Sequence, residues 1–258
     1  MKFHCIVCIK AVTLHASGKG AGRNSCTAVL NPFDRIALEK ALAIAETRAG
    51  ALTVLTMGPP SCAFVLYEAM AMGAAGGVLL SDNRFADSDT LATSTVLAAA
   101  IIRLAPYDLV IFGARTADSD TGHVGPQTAE ALGIPMVTGV LTCEWKDDSC
   151  RIERKIDEFR EIYALSSPVA LTVHPTACVP RDIPLAHIEE SYTQKEIVTW
   201  SLEDLDLRED RVGKNGSLTE VFSLKQAARE RHCEFIGGPV ETQAAALVDA
   251  IRKSGLIG

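Results

Sequence analysis

Up to about residue 132 the chain alternates short apolar runs with stretches of helical period, and that order restricts the fold most strongly. Phe3–Ile9, Leu52–Met57, Gly77–Leu80 and Asp108–Phe112 read as buried strands. Asn31–Ala49 reads as a helix, with Ile36, Leu38, Ala41, Leu42 and Ala45 along one stripe; Ser61–Met72 and the Ala-rich Thr90–Leu104 read likewise. A strand–helix–strand order predicts an α/β fold, a mostly parallel, doubly wound, Rossmann-like sheet with helices on both faces. Ligands of such sheets bind beyond the carboxyl ends of the strands.

Four loops are expected on that rim. Residues 113–129 carry Gly113, Asp118, Asp120, Thr121, Gly122, His123, Val124, Gly125, Pro126, Gln127, Thr128 and Ala129 between the strand Asp108–Phe112 and a helix over Thr128–Leu132. A glycine-bearing turn into a helix offers free N–H groups and a positive dipole end where a phosphate can rest. Ordinary turns use Gly and Asp as well. Asp118 and Asp120 would repel a phosphate at close range, so they shape the loop or accept from ribose hydroxyls. Gly122 and Gly125 allow close backbone approach, Thr121 and Thr128 offer hydroxyls, and His123 either bonds phosphate or packs as a neutral ring. Asn31 and Pro32 in Asn31-Pro-Phe-Asp34 suit a helix cap and first helical position. Thr56-Met-Gly-Pro-Pro60 ends the second strand, and Ser17–Arg23 is Gly-rich without P-loop order, which suits a mobile hairpin tip. No strong base or nucleophile stands among these residues; the pattern holds a nucleotide rather than hydrolysing one.

A net charge of −7 argues against nucleic-acid binding, and 5% aromatic residues offer few stacking platforms. No uncharged apolar run reaches the ~18 residues needed to cross a bilayer, and His4–Lys10 is too short for a signal-peptide core. A cytoplasmic protein is expected, with no metal site. Cys5 and Cys8 have the spacing of a metal or redox pair, but on a strand they point to opposite faces.

After residue 134 the pattern changes. Val137–Trp145, Cys150–Ile156 and Phe159–Leu165 read as antiparallel strands, followed by the apolar strand Val169–Val173. From Pro175 to about Gly238 the apolar periodicity fades, with Pro180, Pro184 and an acidic stretch over Glu203–Asp210; such a segment cannot build its own core. A helix over Pro239–Lys253, bounded by Pro239 and Gly255, closes the chain. The expected organisation is an α/β nucleotide-binding domain over 1–174, an extended arm over 175–238 and a C-terminal helix over 239–258.

Several short motifs together carry a family resemblance. Cys8-Ile-Lys10, Asn31-Pro-Phe-Asp34, Thr56-Met-Gly-Pro-Pro60, Ala71-Met-Gly-Ala74, Asp89-Thr-Leu-Ala92 and Asp118-x-Asp-x-x-x-Val-Gly-Pro-Gln127 stand in the order and spacing of the electron-transferring flavoprotein β (small) subunit. Pro180-Arg181 followed by Leu185, and Pro239-Val-Glu, extend the resemblance over essentially the whole chain.

The resemblance implies an electron carrier: one half of a heterodimer whose α subunit holds FAD near the interface and which accepts electrons from dehydrogenases. It also implies an adenine nucleotide in the β subunit, AMP in the housekeeping type and a second FAD in the electron-bifurcating type. The contacts carried over fall on Cys8, Asn31, Pro32, Phe33, Asp34, Met57 and Asp118 to Ala129. Leu185 matches the leucine that docks into acyl-CoA dehydrogenases, and the segment after Pro175 would wrap the α subunit. Val124-Gly125-Pro126 resembles the bifurcating group, which implies NADH as donor. Two departures stand out: His123 replaces the family's usual Gln, and Glu189-Glu190-Ser191 replaces a commonly Lys-rich stretch, where rim charge governs partner choice. A stand-alone adenine-nucleotide sensor of the same α/β type is the reading from another class; it predicts a monomer with the arm folded on itself.

Overall fold

The computed structural model describes residues 2–15, 26–223, 233 and 235–256, which fall into two units, 1–220 and 221–258. The Gly-rich Ser17–Arg23 stretch lies outside the described residues. In the first unit the elements run β1 (His4–Cys8), β2 (Ala11–His15), β3 (Cys26–Leu30), α1 (Pro32–Thr47), β4 (Ala51–Met57), α2 (Ala63–Met72), β5 (Gly76–Leu80), α3 (Thr90–Arg103), β6 (Leu109–Gly113) and α4 (Val124–Leu132). They continue with β7 (Met136–Lys146), β8 (Ser149–Ile156), β9 (Phe159–Ser166), β10 (Val169–Val173), α5 (Leu185–Gln194), β11 (Ile197–Trp200) and the short α6 (Gly213–Gly216). The second unit holds α7 (Val240–Lys253).

One sheet has the order β11-β5-β4-β1-β6-β10-β7-β8-β9. Strands from β11 to β7 pair in parallel; β7, β8 and β9 pair antiparallel at the far edge. The expected parallel sheet with an antiparallel extension is therefore present. The strands buried on both faces read as nearly continuous apolar runs, as β10 shows with all five residues buried and only Thr172 polar. One core cluster, with Cys5, Val7, Leu38, Val54, Val65 and Leu171, lies on the face of α1 and α2; the other, with Ile6, Cys8, Leu55, Val96, Val110 and Ala129, lies on the face of α3 and α4. Cys5 and Cys8 do lie on opposite faces. Burial raises both thiols far above the ordinary range, Asp108 adding to it at Cys5 and Asp34 at Cys8, so they remain protonated.

Residues 175–220, for which the sequence offers no core of its own, use the core of this unit. Strand β11 pairs with β5 from Ile197↔Gly77 to Trp200↔Leu80, and Leu202, Leu205 and Val212 are buried in the α3/α4 cluster. Arg181 fastens the start of the segment: its guanidinium meets Glu39 at 2.8 Å and Glu46 at 2.7 Å on α1. In the second unit, α7 starts after Pro239 as expected and has no buried residue among those described. Among the described residues no helix is long and apolar enough to cross a membrane.

Candidate functional site

From β1 the chain builds β4 and β5 on one side, then returns to lay β6 against the other side of β1. The carboxyl ends of β1 and β6 therefore flank the topological switch point, where successive loops diverge and leave a crevice. Cys8 ends β1 and Gly113 ends β6; Asp34, in the first turn of α1, sits between the two ends.

Asp34 is buried, and its Oδ2 accepts the main-chain N–H of Lys10 at 2.8 Å. The Gly113 N–H and the Asn31 amide also donate to this carboxyl. A Cβ on Gly113 would run into the Asp34 carboxylate and, at 2.9 Å, its backbone nitrogen, so the close approach of α1 to β6 requires glycine there. Burial outweighs the donors and the nearby Lys10 charge, and pushes the Asp34 carboxyl up to about 7.

Asn31 departs from the cap expected of it. Its carbonyl starts α1 by accepting from Asp34 and Arg35 N–H at 3.0 Å, but its side chain makes no cap bond. The amide turns instead to the loop after β6, donating to the Arg115 carbonyl at 2.9 Å and accepting the Ala117 N–H at 3.2 Å. Pro32 stands at the first helical position, where its missing N–H costs nothing, while the Asn31 side chain braces the loop. Phe33 lies beneath the Arg115 guanidinium, 5.0 Å from ring centroid to Cζ, a cation–π contact.

The two aspartates expected to repel phosphate are each paired with a cation. Lys10 Nζ meets Asp118 Oδ2 at 2.7 Å, and Arg115 Nε meets Asp120 Oδ1 at 3.2 Å. These pairs are partly exposed and worth about 0–1 kcal/mol each, but they neutralise the loop. Burial acts against it, yet the Lys10 ammonium holds Asp118 below the usual carboxylate range. Asp118 also accepts the Ser119 N–H at 2.7 Å, and the Asp120 main-chain N–H donates to the Thr116 carbonyl at 3.0 Å. Asp120 and Gly122 adopt positive φ, 54° and 65°, which turns the chain sharply before α4.

Helix α4 begins at Val124, a turn earlier than expected, because Gly125-Pro126 fits a first helical turn. His123 occupies the cap position without a side-chain cap bond, and the first turn has no acidic residue. Among the described residues nothing accepts the N–H groups of Val124 and Gly125. Two free N–H groups at a positive helix end, beside a loop whose carboxylates are already paired, fit a phosphate group. Exposed Thr121 and His123 stand at the same opening, while Cys8, Met57 and Val124 share the apolar cluster containing Phe112.

Three residues face inward. A Cβ on Gly125 would meet Met136 at 3.0 Å, Phe112 at 3.2 Å and Thr172 at 3.3 Å, so this glycine lets α4 sit close to the sheet. Thr128 is buried and its hydroxyl donates to the Val124 carbonyl at 2.7 Å; Ala129 lies in the core. Gln127 reaches Ser94 of α3 at 3.3 Å, and exposed Pro126 follows the free N–H groups. Leu185 stands apart from this group: it opens α5 with 83% of its surface exposed, on a helix that packs against α2 with Tyr67 and Tyr192 stacked at 4.4 Å. The sequence names Gly113 only as the start of the loop and does not single out Arg115. Gly113 at a strand end beside a buried Asp was a usable signal, whereas the partners of Arg115 are set only by the fold.

The family model described as the electron transfer flavoprotein domain matches residues 23–205. The chain is 37% identical over 235 residues to the electron transfer flavoprotein subunit beta of Clostridium acetobutylicum, covering 91% of this chain and 90% of that protein. It is 35% identical to the caffeyl-CoA reductase-Etf complex subunit CarD of Acetobacterium woodii, covering 91% and 90%. It is 34% identical to the acryloyl-CoA reductase electron transfer subunit gamma of Anaerotignum propionicum, covering 97% and 98%.

Proposed function

The chain belongs to the electron transfer flavoprotein family as a β-type subunit with an electron-transfer role, and we propose that its rim site grips the adenylate part of a bound nucleotide. The observation that carries this reading is the pair of free N–H groups at the start of α4, beside aspartates already neutralised by Lys10 and Arg115. No side chain is asked to act as acid, base or nucleophile. Bound flavin supplies the redox chemistry, and the chain supplies position and electrostatics. Main-chain amides of Val124 and Gly125 hold the phosphate, Asn31 and Asp34 keep the loop and strand ends in register, and the apolar group of Cys8, Met57 and Val124 excludes water.

In this reading the partner is an α-type subunit that carries FAD, and the exposed α7 and its flanks belong to the surface that binds it. Exposed Leu185 docks an acyl-CoA dehydrogenase or a related flavoprotein dehydrogenase, with Glu189 and Glu190 altering the charge seen by that partner. The complex works in the cytoplasm. Val124-Gly125-Pro126 supports the bifurcating sub-type, with FAD in the rim site and NADH as donor, over the housekeeping sub-type with AMP. Two of the relatives bear names of acyl-CoA reductase complexes, which agrees with a dehydrogenase-like partner. Anaerobic addition of NADH to the purified complex tests the sub-type: bleaching of the flavin absorbance is expected, and an unchanged spectrum would leave AMP in the site and NADH without a role.

A further inference from the structure

Asp89 carries more hydrogen bonds than a helix cap uses. Its Oδ1 accepts the N–H groups of Leu91 and Ala92, both at 3.0 Å, and so caps α3. Its Oδ2 accepts the Leu218 N–H at 2.9 Å and both the N–H and the hydroxyl of Thr219 at 3.0 Å. Its own N–H donates to Ser217 Oγ at 2.8 Å, and that hydroxyl donates to the Gly213 carbonyl at 2.7 Å. Burial works against the charge, yet the donors from Ala92, Thr219 and Leu218 hold this carboxyl below the usual range. The carboxylate thus joins the start of α3 to a stretch 130 residues later in the chain.

That stretch lies next to the end of the first unit, at residue 220. Beyond it the chain bears Val221, Phe222, Phe235, Val240, Leu247 and Leu256, all exposed, and α7 with no buried residue. Apolar side chains exposed in that number among the described residues call for a covering partner.

We propose that Asp89 is a positioning residue for assembly: its carboxylate pins Leu218 and Thr219, the root of the segment 221–258, so that the segment meets the α-type subunit from a fixed point. This rests on the heterodimer reading given above. Charge-assisted bonds to two main-chain N–H groups and a hydroxyl hold the root more firmly than neutral ones would. Releasing the root lengthens the chain that links the segment to the fold and lowers the effective concentration of the segment at the partner, while adding residues that must be ordered on binding.

The two jobs of Asp89 can be separated in the full chain. In Asp89→Asn the side-chain oxygen still caps α3, but an NH2 group faces the Leu218 and Thr219 N–H groups and cannot accept from them. Asp89→Ser keeps a capping hydroxyl that is too short to reach Thr219, and serves as the second variant should the first fold poorly. The probe is the α-type subunit that co-purifies with the wild-type chain. Both variants should melt within a few degrees of wild type, exchange the amide hydrogens of Leu218 and Thr219 faster, and bind that subunit with a dissociation constant raised about tenfold. Faster exchange with unchanged binding would overturn the proposal, as would amides that stay protected. A wild-type chain that captures no α-type subunit overturns the heterodimer reading and the proposal with it.

Discussion

A carboxylate as deeply buried as Asp34 is costly to keep charged, and its environment only partly compensates. In the folded chain it titrates at about 7, against roughly 3.9 in an unfolded one. The folded state therefore binds this proton more tightly. The resulting stability is complete below about pH 4 and is lost as pH rises through about 7. A shift of about three units corresponds to on the order of 4 kcal/mol. The stability advantage of wild type over Asp34→Asn, read from urea unfolding, should shrink by about 3 kcal/mol between roughly pH 4.5 and pH 7.5. An advantage constant across that range would mean that Asp34 is charged throughout. At this scale the sequence revealed which residues stand near one another but not what each one bonds to. Asn31 had the spacing of a cap, yet its amide braces a loop 84 residues away. Gly125 has the look of a ligand-facing glycine, yet its missing side chain leaves room for Phe112 and Met136.

Elements with a strong period were legible, and those whose burial comes from tertiary pairing were not. The strands β1, β4, β5, β6 and β10 and the helices α1 and α3 lie within a residue or two of their expected bounds, because each carries its own apolar run or stripe. The start of α4 reads four residues late in the sequence, because Gly125-Pro126 in isolation looks like a turn rather than a first helical turn. Strand β11 has only four residues and half-buried ends; Ile197–Trp200 is made of strand formers but is too short, between polar stretches, to read as a strand until β5 is beside it. Past β11, Leu202 and Leu205 enter the α3/α4 core. Leu205→Ala should therefore destabilise the first unit by about 2–4 kcal/mol, seen as a lower urea midpoint for the isolated chain. No change would mean that this part of the segment contributes nothing to the fold.

For the molecule as a whole, the sheet order sets the site. The switch between β1 and β6 brings together Cys8, Asn31, Asp34 and the loop before α4, which lie far apart in sequence. Composition argues against nucleic acid as a partner and short motifs suggest the family, but the pairing of Asp118 with Lys10 and of Asp120 with Arg115 depends on the folded loop. Those pairs turn an apparently repulsive rim into one that can receive an anion. In the proposed reading this rim holds an adenine nucleotide of its own, in addition to the flavin of the α-type subunit. Denaturing the purified heterodimer and counting the released nucleotides by chromatography tests this most directly. Two adenine-containing nucleotides per heterodimer are expected, whether the second is AMP or FAD; a single FAD and no other adenine compound would contradict it.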